Sequence, residues 1–238
     1  MKFKHAEPHR NCVTCAKAIH SIFTVLDTEQ LTELNINKTC TYFKKGQTIF
    51  TENALPLGLY CINSGKIKLT TTGLDGKEQI LRLVKDGDIL GYRSLLANDR
   101  YHCNAVALED CSVCLIEKNF FMQLAATNQK LCMALFRKIS EDLKTAEEHI
   151  VSLSQKNVRE RVAEALLFLK ATYGFEEDGK TINMQLSREE IADFVGTSTE
   201  STIRLLSEFN TAKIIELHGK KIKIINYDKL EKTANLMY

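Results

Sequence analysis

Short apolar segments separated by glycine-containing turns occupy residues 39–117. Several segments alternate apolar with polar residues, as half-buried strands do, and their turns recur at intervals typical of an antiparallel sandwich or barrel. The pattern predicts an α+β protein whose N-terminal part is an antiparallel β-roll, or jelly roll, of about eight strands.

The apolar pattern changes to a helical period in the stretch after Asn119, where glycine is absent until Gly174. Apolar residues separated by steps of four and three predict a coiled-coil seam on one helix of about 35 residues, about 50 Å long. Such a helix is longer than the face of one roll, so we predict a homodimer; packing onto the chain's own roll is the alternative. The seam residues are Cys132, Phe136, Ile139, Leu143, Ala146, Ile150 and Leu153.

A break at residues 155–157 separates this helix from a second amphipathic helix at 158–173, which Gly174 closes. A chain of 238 residues is long enough for two domains of ordinary size. We expect an N-terminal segment and β-roll over 1–118, a dimerisation helix over 119–155 and a C-terminal domain over 156–238, with the boundary near Lys156.

Two short helices around a glycine follow in the C-terminal part. A capping box at residues 187–190 opens the first helix and Gly196 ends it, and Ser198 begins the second. In the second helix Ile203, Leu206 and Phe209 are spaced to pack inward. Helix, tight turn and helix is the geometry that carries the second helix into the major groove of DNA.

Two predicted strands, at 214–217 and 221–225, surround a turn at Gly219, and their lysines suit a wing that contacts phosphates. We expect Glu200 to accept from cytosine N4 and Arg204 to bridge guanine O6 and N7. A simple ion pair between these two residues on a solvated face is the alternative. The predicted DNA contacts are Ser198, Thr199, Glu200, Ser201, Arg204, Arg188, Lys220 and Lys221.

Charge and cysteine content limit these predictions. The formal net charge of +2 is no strong signal for nucleic acid, so the DNA prediction rests on local placement. The N-terminal residues lack a secretory apolar segment, and no run approaches the roughly 18 apolar residues of a membrane span. We therefore expect a cytoplasmic protein without a membrane partner. Its eight cysteines are then expected to be reduced, as buried thiols, metal ligands or redox sensors rather than a disulfide framework.

The order of β-roll, long helix and winged helix-turn-helix resembles the Crp/Fnr family of bacterial transcription regulators over nearly the whole chain. Residues 154–161, 186–196 and 200–206 carry the resemblance most specifically. It implies a roll of the cyclic-nucleotide-binding type, a homodimer, a palindromic double-stranded DNA operator and RNA polymerase as a partner. It also places Ile203 beside the base-reading residues, where the family mostly has polar side chains.

Members of that family that bind cyclic AMP carry a Gly-Glu pair and a later Arg-Ser/Thr-Ala segment. This chain has Gly91-Tyr92 and Tyr101-His102-Cys103 at those places, so cyclic nucleotide binding is not expected. A roll that senses nothing and serves only dimerisation stays open, as does His102 as a haem ligand. The residues expected around an effector pocket are Gly91, Tyr92, Arg93, Ser94, His102 and Cys103.

Oxygen-sensing members hold an iron–sulfur cluster through a Cys-x2-Cys-x5-Cys run and one cysteine of the roll. Cys12 and Cys15 resemble the start of that run and Cys114 matches the later cysteine, but Ser21 stands where the third belongs. The effector and cofactor are unknown: an iron–sulfur cluster, another metal, a thiol redox switch and no cofactor all stay open. A complete metal site would need His20, Cys40 or Cys61 as a further ligand, and Cys61 also fits a core thiol.

A metalloenzyme built on a similar cupin-type roll is the competing class. Such enzymes need several histidines and a carboxylate that converge on one metal. The six histidines of this chain are scattered, and His102 stands alone in the predicted roll. We therefore predict a DNA-binding regulator and not an enzyme.

Overall fold

The computed structural model describes residues 11–15 and 21–235. Its contacts divide the chain into two compact units. The first contains the residues up to 71 together with 81–144, and the second contains 72–80 together with the residues from 145 onward. Within the described ranges, no helix is long and apolar enough to cross a membrane.

Strands with antiparallel pairing form the β-roll, as predicted. They are β1 Lys38–Phe43, β2 Thr48–Phe50, β3 Gly58–Ser64, β4 Lys66–Thr72, β5 Glu78–Lys85, β6 Ile89–Leu90, β7 Asn104–Ala107 and β8 Cys111–Glu117. One sheet has the order β1-β8-β3-β6 and the other the order β2-β7-β4-β5. The largely buried β8 therefore lies between β1 and β3.

A close approach between β3 and β8 requires a glycine. A Cβ atom at Gly58 would lie 2.0 Å from the carbonyl oxygen of Ile116, which is backbone and cannot turn aside. Any larger residue would therefore push the two strands apart. Gly58 thus permits the pairing that places Cys61 of β3 opposite Cys114 of β8.

Helices and 3-10 turns cover the roll. The 3-10 turns are Cys12–Thr14 and Ile22–Val25, and the helices are α1 Thr28–Ile36, α2 Tyr92–Ala97 and α3 Lys118–Thr127. One apolar cluster joins Leu59 and Ile116 of the roll to Phe121 of α3. A second cluster, which contains Ile62, Ile67, Val84 and Val113, gathers residues from strands of both sheets.

The predicted single helix of about 35 residues is wrong, because the chain forms two helices there. α3 ends at Thr127, and α4 runs from Gln129 to Gln155. Asn128 between them has an extended backbone, and its side-chain oxygen accepts a 2.9 Å hydrogen bond from the backbone N–H of Leu131. Asparagine competes with the helix in this way by capping a new first turn.

The second unit contains the predicted helix-turn-helix and wing. Its elements after α4 are α5 Val158–Tyr173, α6 Arg188–Val195, α7 Thr199–Thr211, β9 Ile215–His218, β10 Lys221–Ile224 and α8 Tyr227–Ala234. β9 and β10 pair antiparallel with Lys221 opposite His218. Asn157 and Glu160 form a capping box that begins α5 directly after the break in the seam.

Candidate nucleic-acid interface and cysteine centre

The turn between α6 and α7 is built by local hydrogen bonds. The N–H of Glu190 donates to Ser187 Oγ at 3.0 Å, and the N–H of Ser187 donates to Glu190 Oε2 at 2.7 Å. Gly196 ends α6 in the left-handed region at φ 73°. Ser198 then caps α7 by accepting from the N–H of Ser201 at 3.2 Å. The predicted capping box and glycine stop are confirmed.

One prediction about α7 is wrong, since Ile203 does not pack inward. Its side chain is 51% exposed, whereas Thr202, Leu205, Leu206 and Phe209 form the buried face. A spacing of three residues places Ile203 and Leu206 near each other on α7, but Ile203 lies just outside the buried face that contains Leu206. Ile203 therefore lies on the solvent side of α7, with Glu200 and Arg204.

Arg204 and Glu200 do not pair with each other in the structure. Arg204 donates a hydrogen bond to the carboxylate of Glu208 at 2.9 Å, and the same carboxylate also accepts one from Arg159 at 2.5 Å. Hydrogen bonds from its own backbone N–H and from the Ser198 side chain lower the pKa of Glu200. The Arg204 side chain is 66% exposed, so this ion pair can open at little cost.

The wing carries its cations in different settings. Lys220 is exposed at the turn, whereas Lys221 donates to Glu176 at 2.7 Å. Arg188, the first residue of α6, donates to the carbonyl of Gly219 at 2.8 Å and so ties the wing turn to the helix-turn-helix. Thr199 and Ser201 lie half-exposed in the first turn of α7.

An apolar stripe is exposed along α4. Leu131 and Leu135 are buried against the roll, but most predicted seam residues face solvent in the single chain. Cys132 is half-buried, and the exposed members are Phe136, Ile139, Leu143, Ala146, Ile150 and Leu153. Six exposed apolar or small side chains on one helix form a surface that soluble proteins normally cover.

The predicted effector-pocket residues fall into two groups. Gly91, Tyr92 and Ser94 lie in or next to α2, where Tyr92 and Ser94 are buried, while Arg93 is exposed and Cys103 is half-buried. His102 is an exposed residue that bonds Asp99 at 2.8 Å. The buried ring of Tyr101 stacks on Phe50 at 4.0 Å between ring centroids, so aromatic side chains fill roll interior beside Gly91.

Tyr92 also reaches α4. Its hydroxyl donates to Asp142, and Arg82 donates to Tyr92 at 2.9 Å and to Asp142 at 3.0 Å. Burial raises the pKa of Tyr92 to about 12, so its hydroxyl stays protonated. This link between β5, α2 and α4 was not predicted, because nothing in the sequence distinguishes Asp142 from the other charged residues beside the seam.

Three cysteines form a row across neighbouring strands. Cys114 of β8 lies opposite Cys40 of β1 on one side and opposite Cys61 of β3 on the other. Cys40 and Cys114 are joined by a disulfide. The expectation that all cysteines are reduced thiols is therefore wrong for this pair, because strand register sets two cysteines 74 residues apart directly opposite each other.

The Cys12–Thr14 turn brings two further cysteines to this row. Cys12, Cys15, Cys61 and Cys114 all line one cavity of about 50 Å³, together with Ser21, Lys38 and Gly87 among other residues. Lys38 Nζ donates to Cys12 Sγ at 3.0 Å, and Cys15 Sγ donates to Asn63 Oδ1 at 3.7 Å. Burial, followed by the neighbouring Cys15 and Cys12, raises the pKa of the Cys61 thiol to about 12.

The structure brings together four of the six candidates for a metal site around this cavity. Cys40 does not line the cavity, and His20 lies outside the described residues. Within residues 11–15 and 21–235, no three His, Cys, Asp or Glu side chains are arranged to hold a metal ion, and the sulfur of Cys114 is bonded to Cys40.

Two sequence families match the chain. Residues 40–128 match the cyclic nucleotide-binding domain, and residues 160–233 match the Crp-like helix-turn-helix domain. These ranges correspond to the β-roll and to the helix-turn-helix with its wing.

Curated relatives match almost end to end. The chain is 30% identical over 226 residues to "Electron transport regulator A" of Shewanella oneidensis, covering 94% of this chain and 90% of that protein. It is also 30% identical over 230 residues to the "Fumarate and nitrate reduction regulatory protein" of Vibrio cholerae, covering 95% and 91%.

Solved structures share the fold. FixK2 from Bradyrhizobium japonicum superposes with a TM-score of 0.76 at 24% identity, covering 84% of this chain and 99% of that one. A putative transcriptional regulator of the Crp/Fnr family from Eubacterium rectale gives a TM-score of 0.72 at 20% identity, covering 90% and 98%. Relatives and fold are those of transcription regulators rather than enzymes. The chain belongs to the Crp/Fnr family of DNA-binding transcription regulators.

Proposed function

We propose that this regulator senses redox state or oxygen through Cys12, Cys15, Cys61 and Cys114, and transmits the signal to a homodimer on a palindromic operator in the cytoplasm. The observation that carries the sensing role is the single cavity lined by all four cysteines. The names of the relatives from Shewanella oneidensis and Vibrio cholerae refer to electron transport and to fumarate and nitrate reduction.

The reading surface is the solvent side of α7. Glu200 accepts from cytosine N4, Arg204 leaves Glu208 to bridge guanine O6 and N7, and the exposed Ile203 suits a thymine methyl group. Ser198, Thr199 and Ser201, at the N-terminal end of α7, contact the backbone or base edges there. Lys220 contacts phosphate from the wing, while Arg188 and Lys221 hold the wing in place through their bonds to Gly219 and Glu176.

The partner of the α4 stripe is a second copy of this chain. The seam residues repeat at the four-and-three spacing of a coiled coil, and they are exposed in the single chain. A homodimer that reads a palindrome needs its two α7 helices in successive major grooves, about 34 Å apart. RNA polymerase as a further partner stays a prediction.

The donor set suits a thiophilic group. Four cysteine thiolates are the ordinary ligands of an iron–sulfur cluster and of structural zinc. Cys61 supplies the ligand for which the N-terminal run has only Ser21, and the cation of Lys38 lies beside Cys12 to offset thiolate charge. When bound, an iron–sulfur cluster supplies redox and oxygen sensitivity. The chain's own residues would hold the four sulfurs around this cavity, where Cys114 is buried and Cys12, Cys15 and Cys61 are half-buried.

A route from the cysteines to the dimer helix lies within the first unit. Gly87 lines the cysteine cavity, and the next residue, Asp88, pairs with Lys138 of α4 at 3.7 Å. Lys138 also pairs with Asp142 at 3.3 Å, and Asp142 holds Tyr92 and Arg82. A change in the Cys12–Cys15 segment or in the turn at Gly87 and Asp88 would therefore reach the part of α4 that carries the seam residue Ile139.

The test is anaerobic purification followed by visible absorption and iron, sulfide and zinc analysis. We expect bound metal in the native chain, its loss in Cys12→Ser and in Cys61→Ser, and its retention in the control Cys103→Ser, which changes a half-buried thiol that does not line the cavity. A colourless, metal-free native dimer that binds its operator equally in air and without oxygen would refute the sensing proposal.

A further inference from the structure

Cys114 has two competing partners in this fold. It lines the cavity with Cys12, Cys15 and Cys61, yet its sulfur is bonded to Cys40 from the opposite side of β8. Cys40 does not line that cavity. A sulfur atom in a disulfide has no thiolate charge to give to a metal, so the disulfide and the four-thiolate site exclude each other.

We propose that the Cys40–Cys114 pair is a reversible disulfide switch that controls whether the cysteine centre can take up its metal. This inference rests on the four-thiolate site proposed above. In the disulfide state only Cys12, Cys15 and Cys61 remain as thiols around the cavity. Reduction restores Cys114 as the fourth ligand. The switch therefore responds to the thiol–disulfide balance, independently of oxygen acting on a bound cluster.

The oxidant is a low-molecular-weight disulfide, and the exchange balances. The thiolate of Cys40 attacks one sulfur of the small disulfide, breaks its S–S bond and releases one small thiol. Cys114 then attacks the Cys40 sulfur of the mixed disulfide and releases the second thiol, so two protein thiols are oxidised and one small disulfide is reduced to two thiols. Cys40 is half-exposed and Cys114 is 7% exposed, which makes Cys40 the first to react.

Strand register makes the pairing specific. Cys40 faces Cys114 directly across β1 and β8, so the bond needs no rearrangement of the sheet. Cys111 lies on the same β8 three residues away and is buried, but it faces Phe43. Cys111 is therefore a matched control that changes a buried thiol of the same strand without touching the pair.

The test uses the full-length reduced chain and Co²⁺ as a spectroscopic probe of thiolate ligands, in buffers of increasing oxidised-to-reduced glutathione ratio. The ratio that halves the cobalt–thiolate absorption is measured for the native chain, Cys40→Ser and Cys111→Ser. We expect Cys40→Ser to need a ratio at least about tenfold higher, and Cys111→Ser to match the native chain. Mass mapping of the native samples should find the Cys40–Cys114 crosslink only in the cobalt-free fraction.

Equal midpoints for the native chain and Cys40→Ser, or a crosslinked fraction that still holds cobalt, would overturn the switch and leave the four-thiolate site standing. Absence of cobalt–thiolate absorption from all reduced proteins would instead overturn the four-thiolate site itself. The mapping requires no variant, so the switch is tested even if Cys40→Ser fails to fold.

Discussion

The helix-turn-helix and the cysteine centre differ in how their parts are brought together. In the helix-turn-helix, Ser187, Gly196, Ser198 and Arg204 lie within 18 consecutive residues, and each is positioned by bonds to near neighbours. In the cysteine centre, Cys61 and Cys114 meet because β3 and β8 pair in one register, and the distant Cys12–Thr14 turn adds Cys12 and Cys15. The first arrangement is specified locally and the second by the whole roll, so substitutions should affect them separately.

The largest effect is expected at the proposed dimer seam, where α4 of one chain packs against α4 of a second copy. Ile150→Lys places a charge in each half of the proposed seam, and burying it should weaken the dimer by about 4 kcal/mol, about a thousandfold in dissociation constant. Ile150 is 64% exposed in the single chain, so the protomer itself should keep its stability. Analytical ultracentrifugation and operator binding measure both effects on one sample.

Thr145→Lys is the matched control for this seam test, because it adds the same charge to α4 at an exposed position outside the seam. It should leave a dimer that binds the operator. Tight binding of a palindrome by monomeric Ile150→Lys would show that α7 binds DNA without a second copy of the chain. Operator binding would then depend on the local structure of the helix-turn-helix alone.

A smaller effect is expected when the register of the roll is disturbed. Gly58→Ala would place a Cβ within 2.0 Å of Ile116 O, so the free energy of unfolding should fall by about 3 kcal/mol. Metal binding should fall with it, because β3 carries Cys61. Urea unfolding followed by circular dichroism measures the loss.

Gly76→Ala is the control for Gly58→Ala. Gly76 has a φ of 78° but open space around it, so only backbone strain of about 1 kcal/mol is expected. Equal losses for the two variants would mean that the β3–β8 approach is not tight. Operator binding by the protein that remains folded should be unchanged in Gly76→Ala.

The same contrast explains what could be predicted from sequence. The capping box at Ser187 and the glycine stop at Gly196 are local signals, and both were predicted correctly. The Cys40–Cys114 bond was missed because no local pattern fixes which residues of two strands face each other. The break at Asn128 was missed because a side-chain cap replaced a helix turn that the apolar spacing allowed. Ile203 was predicted to point inward because a residue three positions before Leu206 can lie either inside or just outside the buried face of α7.

The smallest effect is expected at Arg204, where one exposed side chain is proposed to read one base. Arg204→Ala should reduce discrimination at a single position of each half-site by about 2 kcal/mol, because the bidentate contact to guanine is lost. Stability should change little, since the pair with Glu208 is exposed. Arg204→Lys keeps the charge but not the planar fork, so it should lose the same base preference.

Lys220→Ala should instead weaken binding to all sequences equally and reduce the salt dependence of that binding. Selection of binding sites from a random DNA pool distinguishes these results, and an unchanged motif for Arg204→Ala would assign base readout to Glu200 and Ile203 instead.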